Sequence, residues 1–348
     1  VVVLYCTRYN STVDKIWTCP GAAQGLPTPK TTGLFRTWYS GRMQGSLRII
    51  TFNVHAWHNR HGEETFSRIS TVLERSGADV IALQEATKSR VPALASALGD
   101  LWWVAADSTA ILARTRLSSM DPRQTAGRGF RVDARRRVGR VTRSQKVPRH
   151  TWAAMHVQTE DGGVGVQIVA LHLDHVHEPK RISELAVLID RTNIDSDRPT
   201  VFLGDFNALT RGDYGSNELR RIASVRASQA WEPPKWDLTS ALTRYPGGIS
   251  NKSPLVPPLE RLAIGAVDAW VAAMRREGEL RTSRFDTRID YVFLNQAMAS
   301  AFAVAYCAIG QAMPIASDHN PVLAVLEYRG RCIAPDTSSA VSTGAGTK

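Results

Sequence analysis

The chain has 348 residues, of which 43% are hydrophobic and 22% charged, with a formal net charge of +11. This balance fits a globular protein and excludes a low-complexity or fibrous chain. The longest apolar runs, such as Val164 to Leu173, are about half a bilayer span and are broken by Gln167 and His172, which argues against a transmembrane helix.

Residues 1–45 mix Pro, Gly, Thr and isolated aromatics without periodicity, and are expected to form an irregular N-terminal extension ahead of a domain over 46–329. The opening VVVLYC does not read as a full signal peptide. LRIITFNVH is an apolar strand running into a polar loop. Phe66, Ile69, Val72 and Leu73 then fall at helical spacing within Glu63 to Ser76. DVIALQ is a short buried strand, Arg90 to Leu98 an amphipathic helix, and LWWVAA with STAILAR a pair of strands. Residues 116–149 form a basic loop, with eleven Lys or Arg against Asp121 and Asp133. That is most of the chain's net charge, so the rest of the body is almost neutral.

TWAAMHVQT and VGVQIVALHL read as a hairpin around Glu160 to Gly163. Glu178 to Arg191 carries an apolar stripe at Ile182, Leu185, Val187 and Leu188, and TVFLG is the next strand. Residues 213–284 form a long helical and loop insertion rich in Pro and in Trp231, Trp236 and Trp270. RIDYVFLN, AFAVAYCAI and PVLAVLEY follow as strands, and the Ser/Thr/Gly/Ala-rich tail at 330–348 is expected to be disordered. Many strands joined by hairpins, with helices between them, predict an α/β fold: a four-layer sandwich of two packed mixed β-sheets flanked by helices. Cys6, Cys19, Cys307 and Cys332 stand far apart with no CxxC, so neither a zinc site nor a disulfide framework is expected, and cysteine usage leans toward an intracellular setting. We expect a monomer.

Six strand ends carry polar groups: Asn53, Glu85, His172 with Asp174, Asp205 with Asn207, Asp290, and Asp318 with His319. Taken singly, an Asn or Asp after a strand is turn chemistry, and Glu85 reads as a helix-start carboxylate. Asp290 is different. Between Ile289 and Tyr291 in a strand it costs several kcal/mol if buried alone, and His319 is the natural partner. Strand alternation places Asp205 and Asn207 on one face, with Phe206 turned into the core.

Phe52-Asn53, Gln84-Glu85, HLDH (His172 to His175), GDFN (Gly204 to Asn207), RIDY (Arg288 to Tyr291) and SDH (Ser317 to His319) occur in an order that resembles the endonuclease/exonuclease/phosphatase superfamily, with its DNase I-like fold, over roughly Leu47 to Tyr328. Phe52 stands where Trp is common, and the stretch between GDFN and RIDY is longer than a minimal member needs. The resemblance implies a metal-dependent phosphoesterase. Glu85 would be the main metal carboxylate, with Asn53 and Asp318 beside it. These are oxygen ligands, which suit Mg²⁺ or Mn²⁺. Asp205 would orient and deprotonate water, Asn207 contact the phosphate, His172 bind phosphate or assist the leaving oxygen, and Asp290 hold His319. The general base stays open between Asp205 and His319. Asp174 and Arg181 would brace the site, or else be a helix-entry cap and a surface ion pair.

The superfamily acts on nucleic acids, inositol phosphates, sphingomyelin and other phosphoesters, so the resemblance leaves the substrate open. The basic loop 116–149 suits a phosphate backbone and points to DNA or RNA. A lipid or inositol-phosphate substrate is the alternative, and a catalytically silent binding module of the same fold is a third reading. A lipid substrate calls for an exposed apolar hairpin; the sequence shows none, and the Trp-rich 231–270 segment is the one place that could hold it.

Overall fold

The computed structural model describes residues 45–119, 125–126, 150–157, 159, 162–192, 197–244 and 258–330. The expectations for residues 1–44 and for the tail from 331, and most of the basic loop, lie outside them. In chain order the first elements are β1 (Ser46–Asn53), α1 (Phe66–Ser76), β2 (Val80–Gln84), α2 (Val91–Ala97), β3 (Trp102–Ala106), β4 (Thr109–Ala113), β5 (Ser118–Ser119) and β6 (Thr125–Ala126). Next come β7 (His150–Val157), β8 (Val164–His172), α3 (Glu178–Thr192), β9 (Thr200–Asp205), α4 (Ser216–Ser228), α5 (Asp237–Thr243) and α6 (Pro258–Arg261). The chain continues through β10 (Val267–Asp268), α7 (Ala269–Ala272), β11 (Arg275–Glu277), β12 (Asp290–Leu294), α8 (Gln296–Ala301), β13 (Phe302–Ile309) and β14 (Val322–Tyr328).

The strands form two sheets. One has the order β11-β13-β14-β1-β2-β4-β3-β6, and the other β10-β12-β9-β8-β7-β5. Both are mixed: β1 runs parallel to β2 but antiparallel to β14, and β9 runs parallel to β8 but antiparallel to β12. Period-two patterning divides each strand between two cores. Leu47 and Ile49 of β1 pack with Ile168, Ala170, Val201 and Leu203 between the sheets. Ile50 and Phe52, on the other face of β1, pack with Ile69 and Leu73 of α1 and Leu94 of α2. Val169, Leu171 and Phe202 turn outward onto Leu185 and Leu188 of α3 and Leu238 of α5. The result is four layers, helix, sheet, sheet, helix, as the patterning predicts.

The segment 213–284 differs from the expected helix-and-loop insertion. Its β10 pairs with β12 and its β11 with β13, so it extends one edge of each sheet as well as supplying helices. Both strands are too short, at two and three residues, to show a readable alternation.

Gly204 sets how closely β8 and β9 approach. It lies opposite Leu171 of β8 and Tyr291 of β12, at φ +149°, and a Cβ there would stand 2.0 Å from the Leu171 carbonyl oxygen. No side chain fits without moving a strand. Gly204→Ala is expected to lower unfolding free energy in urea by about 3 kcal/mol or more. Gly212→Ala, which meets nothing within 4 Å, serves as the control and should change it by less than about 0.5 kcal/mol.

Candidate active site

Strand pairing brings three of the expected residues into one row. His172 ends β8 opposite Asp205 at the end of β9, and Asp205 lies opposite Asp290 at the start of β12. All three are buried. His319 enters from the loop before β14, and its Nδ1 lies 2.8 Å from Asp290 Oδ2, the pairing that a buried strand carboxylate requires. Asp205 Oδ2 stands 3.7 Å from His172 Nε2 and 3.8 Å from His319 Nε2. Burial, and then the Asp290 charge, push the Asp205 carboxyl above its ordinary range. Burial opposes the charged form of His319, but the charge and hydrogen bond of Asp290 outweigh it and raise the imidazole.

Asn207 reaches the same cleft by a route other than strand alternation. The strand stops at Asp205, and Asn207 sits at φ 49°, in the left-handed region that Asn tolerates. Its N–H donates to Asp205 Oδ1 at 2.9 Å, an Asx turn, and its Nδ2 donates to the Leu173 carbonyl at 3.0 Å. Phe206 does turn into the core, packing edge-on against Tyr291 and Phe293.

A second group of carboxylates, Glu85 and Asp318, lines the same cleft. Glu85 is no helix-start residue, because α2 begins at Val91 and Glu85 itself lies at φ 54°. His55 Nδ1 faces Glu85 Oε2 at 3.6 Å and Asp318 Oδ1 at 3.3 Å. Burial alone would raise Glu85, but the His55 imidazole facing it, the nearby His172 and the Asn53 amide bring it down to about 2. Asp318 is buried, and its Oδ1 has no hydrogen-bond partner among the described residues. Two carboxylates that face one imidazole across the same cleft, one with an oxygen that accepts no hydrogen bond among the described residues, offer the oxygen ligands that a hard divalent cation takes. Asp205, Asp290 and His319 also offer ligand atoms within 4.8 Å of one another. There, however, the His319 Nδ1 is already committed to Asp290.

Asn53, expected as an oxygen ligand, presents its amide nitrogen to this region. Nδ2 donates to Glu85 Oε1 at 3.2 Å and to Asp205 Oδ2 at 3.1 Å, while Oδ1 accepts the His55 N–H at 3.0 Å. Ser317 locks the strand end by donating to the Asn53 carbonyl at 2.7 Å. His55 escaped the sequence reading. Its only sequence signal is its position two residues after Asn53, and its placement depends on three consecutive positive-φ residues, His55 to Trp57.

Asp174 is a cap for the turn into α3. Its Oδ1 accepts from the N–H groups of Val176 and His177 at 2.9 and 2.8 Å, and its other oxygen pairs with Lys180. Arg181 is no surface ion pair. It is 1% exposed, donates to the Asp174 carbonyl at 3.0 Å, and pairs with Glu178 at 2.6 Å and Glu232 at 2.7 Å. Glu232 belongs to the 213–284 segment and carries no sequence signal for this role. The cluster ties that segment to the loop after His172. Arg181→Met, which leaves both glutamates without their buried partner, is expected to lower unfolding free energy by about 3–5 kcal/mol in a denaturant titration.

The model of the Endonuclease/Exonuclease/phosphatase family matches residues 50–319. Among solved structures, an endonuclease/exonuclease/phosphatase from Bacteroides vulgatus shares 20% identity at a TM-score of 0.51, over 81% of this chain and 99% of that one. A mannosyl-6-phosphatase of Bacteroides thetaiotaomicron shares 13% identity at 0.49, over 81% of this chain and 100% of that one. TDP2 of D. rerio, solved with a single-strand DNA product, shares 13% at 0.46, over 81% and 99%. At these identities the likeness is one of fold. Among curated protein sequences none matches.

Proposed function

The chain belongs to the endonuclease/exonuclease/phosphatase family, and on that premise we propose that it hydrolyses phosphoester bonds with the help of a divalent cation, Mg²⁺ or Mn²⁺. The observation that carries the reading is the position of Asp205. It sits between His172, Asn207 and the Asp290–His319 pair, at the wall of a 680 Å³ cleft that also holds Glu85 and Asp318.

Glu85 and Asp318 are the residues that would hold the cation, whose charge would be set against the phosphate oxygens when it is bound. Asn53 then acts as a donor that orients Glu85 and Asp205 rather than as a ligand. Asp205, raised by its surroundings, is the base: it takes the proton of a water as that oxygen attacks phosphorus. His319 is held charged by Asp290, so it stabilises phosphoryl oxygens rather than removing a proton. The Asn207 amide and His172 face the same space. Asn207 steadies the phosphate, and His172 supports the leaving oxygen as its bond to phosphorus breaks.

The finer reading is a nucleic-acid substrate, supported by the eleven basic residues between 116 and 149. On it, hydrolysis of DNA or RNA falls steeply as salt rises from 50 to 200 mM in a way that hydrolysis of a small phosphodiester does not. Deletion of 120–147 should remove that salt dependence, and equal salt response in both proteins would count against a role for the basic segment.

Hydrolysis of bis(4-nitrophenyl) phosphate tests the chemistry itself. Chelation should abolish it and Mg²⁺ or Mn²⁺ restore it. Asp205→Ala should lower kcat by about 10³-fold or more, and Glu85→Gln should both lower kcat and raise the metal concentration needed for half-maximal rate. Unchanged turnover in Asp205→Ala would remove the catalytic assignment.

A further inference from the structure

We propose that one wall of the catalytic cleft is a subsite for a planar aromatic ring carried by the phosphoester, a nucleobase or an aryl group; this rests on the phosphoesterase reading above. At 680 Å³ the cleft is far larger than a phosphoryl group needs. The additional space is bounded by Val225 of α4 and by the half-buried rings of Trp231 and Phe285. Those rings meet edge to face with centroids 5.2 Å apart, and the exposed His175 meets Trp231 in the same manner at 6.3 Å. Neither Trp231 nor Phe285 belongs to the apolar clusters that join sheets and helices, so their packing is spent at the cleft rather than in the core.

Both ends of this wall are tied to the catalytic row. His175 lies three residues after His172. On the other side, the Arg284 N–H donates to the Asp318 carbonyl at 2.9 Å, and Ser283 forms an antiparallel bridge with His319. Phe285 is therefore one residue from a group bonded to the site, within reach of a ring attached to a bound phosphate.

The wall is also fixed before any ligand arrives. The Arg226 guanidinium stands 5.8 Å from the Trp231 ring centroid, and its Nε donates to the Glu232 carbonyl at 2.7 Å. Glu232 is in turn held by the buried Arg181. A preformed aromatic niche avoids the ordering penalty that flexible side chains impose on binding. Arg284, exposed and 4.8 Å over Phe285, stands 3.6 Å from Asp318 Oδ2, between the two parts of the cleft. It can meet a phosphate oxygen while the ring packs beyond it.

The test is titration calorimetry with Mg²⁺ on the full chain carrying Asp205→Asn, so that ligand is not consumed. One arm compares thymidine 5′-monophosphate with 2-deoxyribose 5-phosphate, and the other phenyl phosphate with methyl phosphate. The ring-bearing ligand should bind about tenfold tighter or more in at least one arm, and which arm responds distinguishes a nucleobase from a simple aryl group. Trp231→Leu and Phe285→Leu, each added to that background, should collapse the ratio. Because the ratio compares two ligands on one protein, partial loss of folded material cancels. Equal binding within both arms, or a preference that survives both substitutions, overturns the proposal. Its failure is separate from that of the phosphoesterase reading, which falls if the unmodified protein does not hydrolyse bis(4-nitrophenyl) phosphate with Mg²⁺ or Mn²⁺.

Discussion

The site depends on one register. Asp205 is opposite His172 across a parallel pair and opposite Asp290 across an antiparallel one, so three chemical groups line up because three strand ends do. A slip of one residue in β9 would turn Asp205 from the face it shares with Val201 and Leu203 onto the face packed by α3 and α5, and Phe202 toward the other sheet. The register is held by close backbone approach at Gly204, one residue before Asp205, and by the two cores on either face of the sheet. Folding and site assembly are therefore the same event at this point of the chain.

That arrangement gathers four carboxylates, Glu85, Asp205, Asp290 and Asp318, around one cleft. Unpaired buried charge costs several kcal/mol, and the imidazoles are what make the row tolerable. His319 bridges Asp290 and Asp205 on the inner side, while His55 faces Glu85 and Asp318 on the outer side. The two halves respond in opposite directions: Asp205 is pushed up, whereas Glu85 is held down near 2. A carboxyl that favours its proton and one that favours its charge suit different tasks, proton removal and cation binding. On our proposal this difference divides the labour in the cleft.

Much of this was legible in the sequence because buried polar residues are expensive. Asp290 in an apolar strand demanded a partner, and His319 is bonded to it. The four layers follow from alternation that the strands keep faithfully, as in Leu47 and Ile49 against Ile50 and Phe52. What escaped depends on backbone conformation or on distant pairing. Asn207 shares a cleft with Asp205 through a left-handed turn, which period-two reasoning does not contain. His55 is placed by consecutive positive-φ residues, and Glu232 by an ion pair across 51 positions of sequence. The edge strands β10 and β11 are too short to leave a pattern.

The most direct measurement of that division is a crystal structure of the protein with Mn²⁺, with the ion located by its anomalous scattering. The account predicts Mn²⁺ bound by carboxylate oxygens of Glu85 and Asp318, with the bond between His319 Nδ1 and Asp290 intact. An ion ligated instead by Asp205 and Asp290, with His319 released from Asp290 to bind it, would contradict the account at its centre.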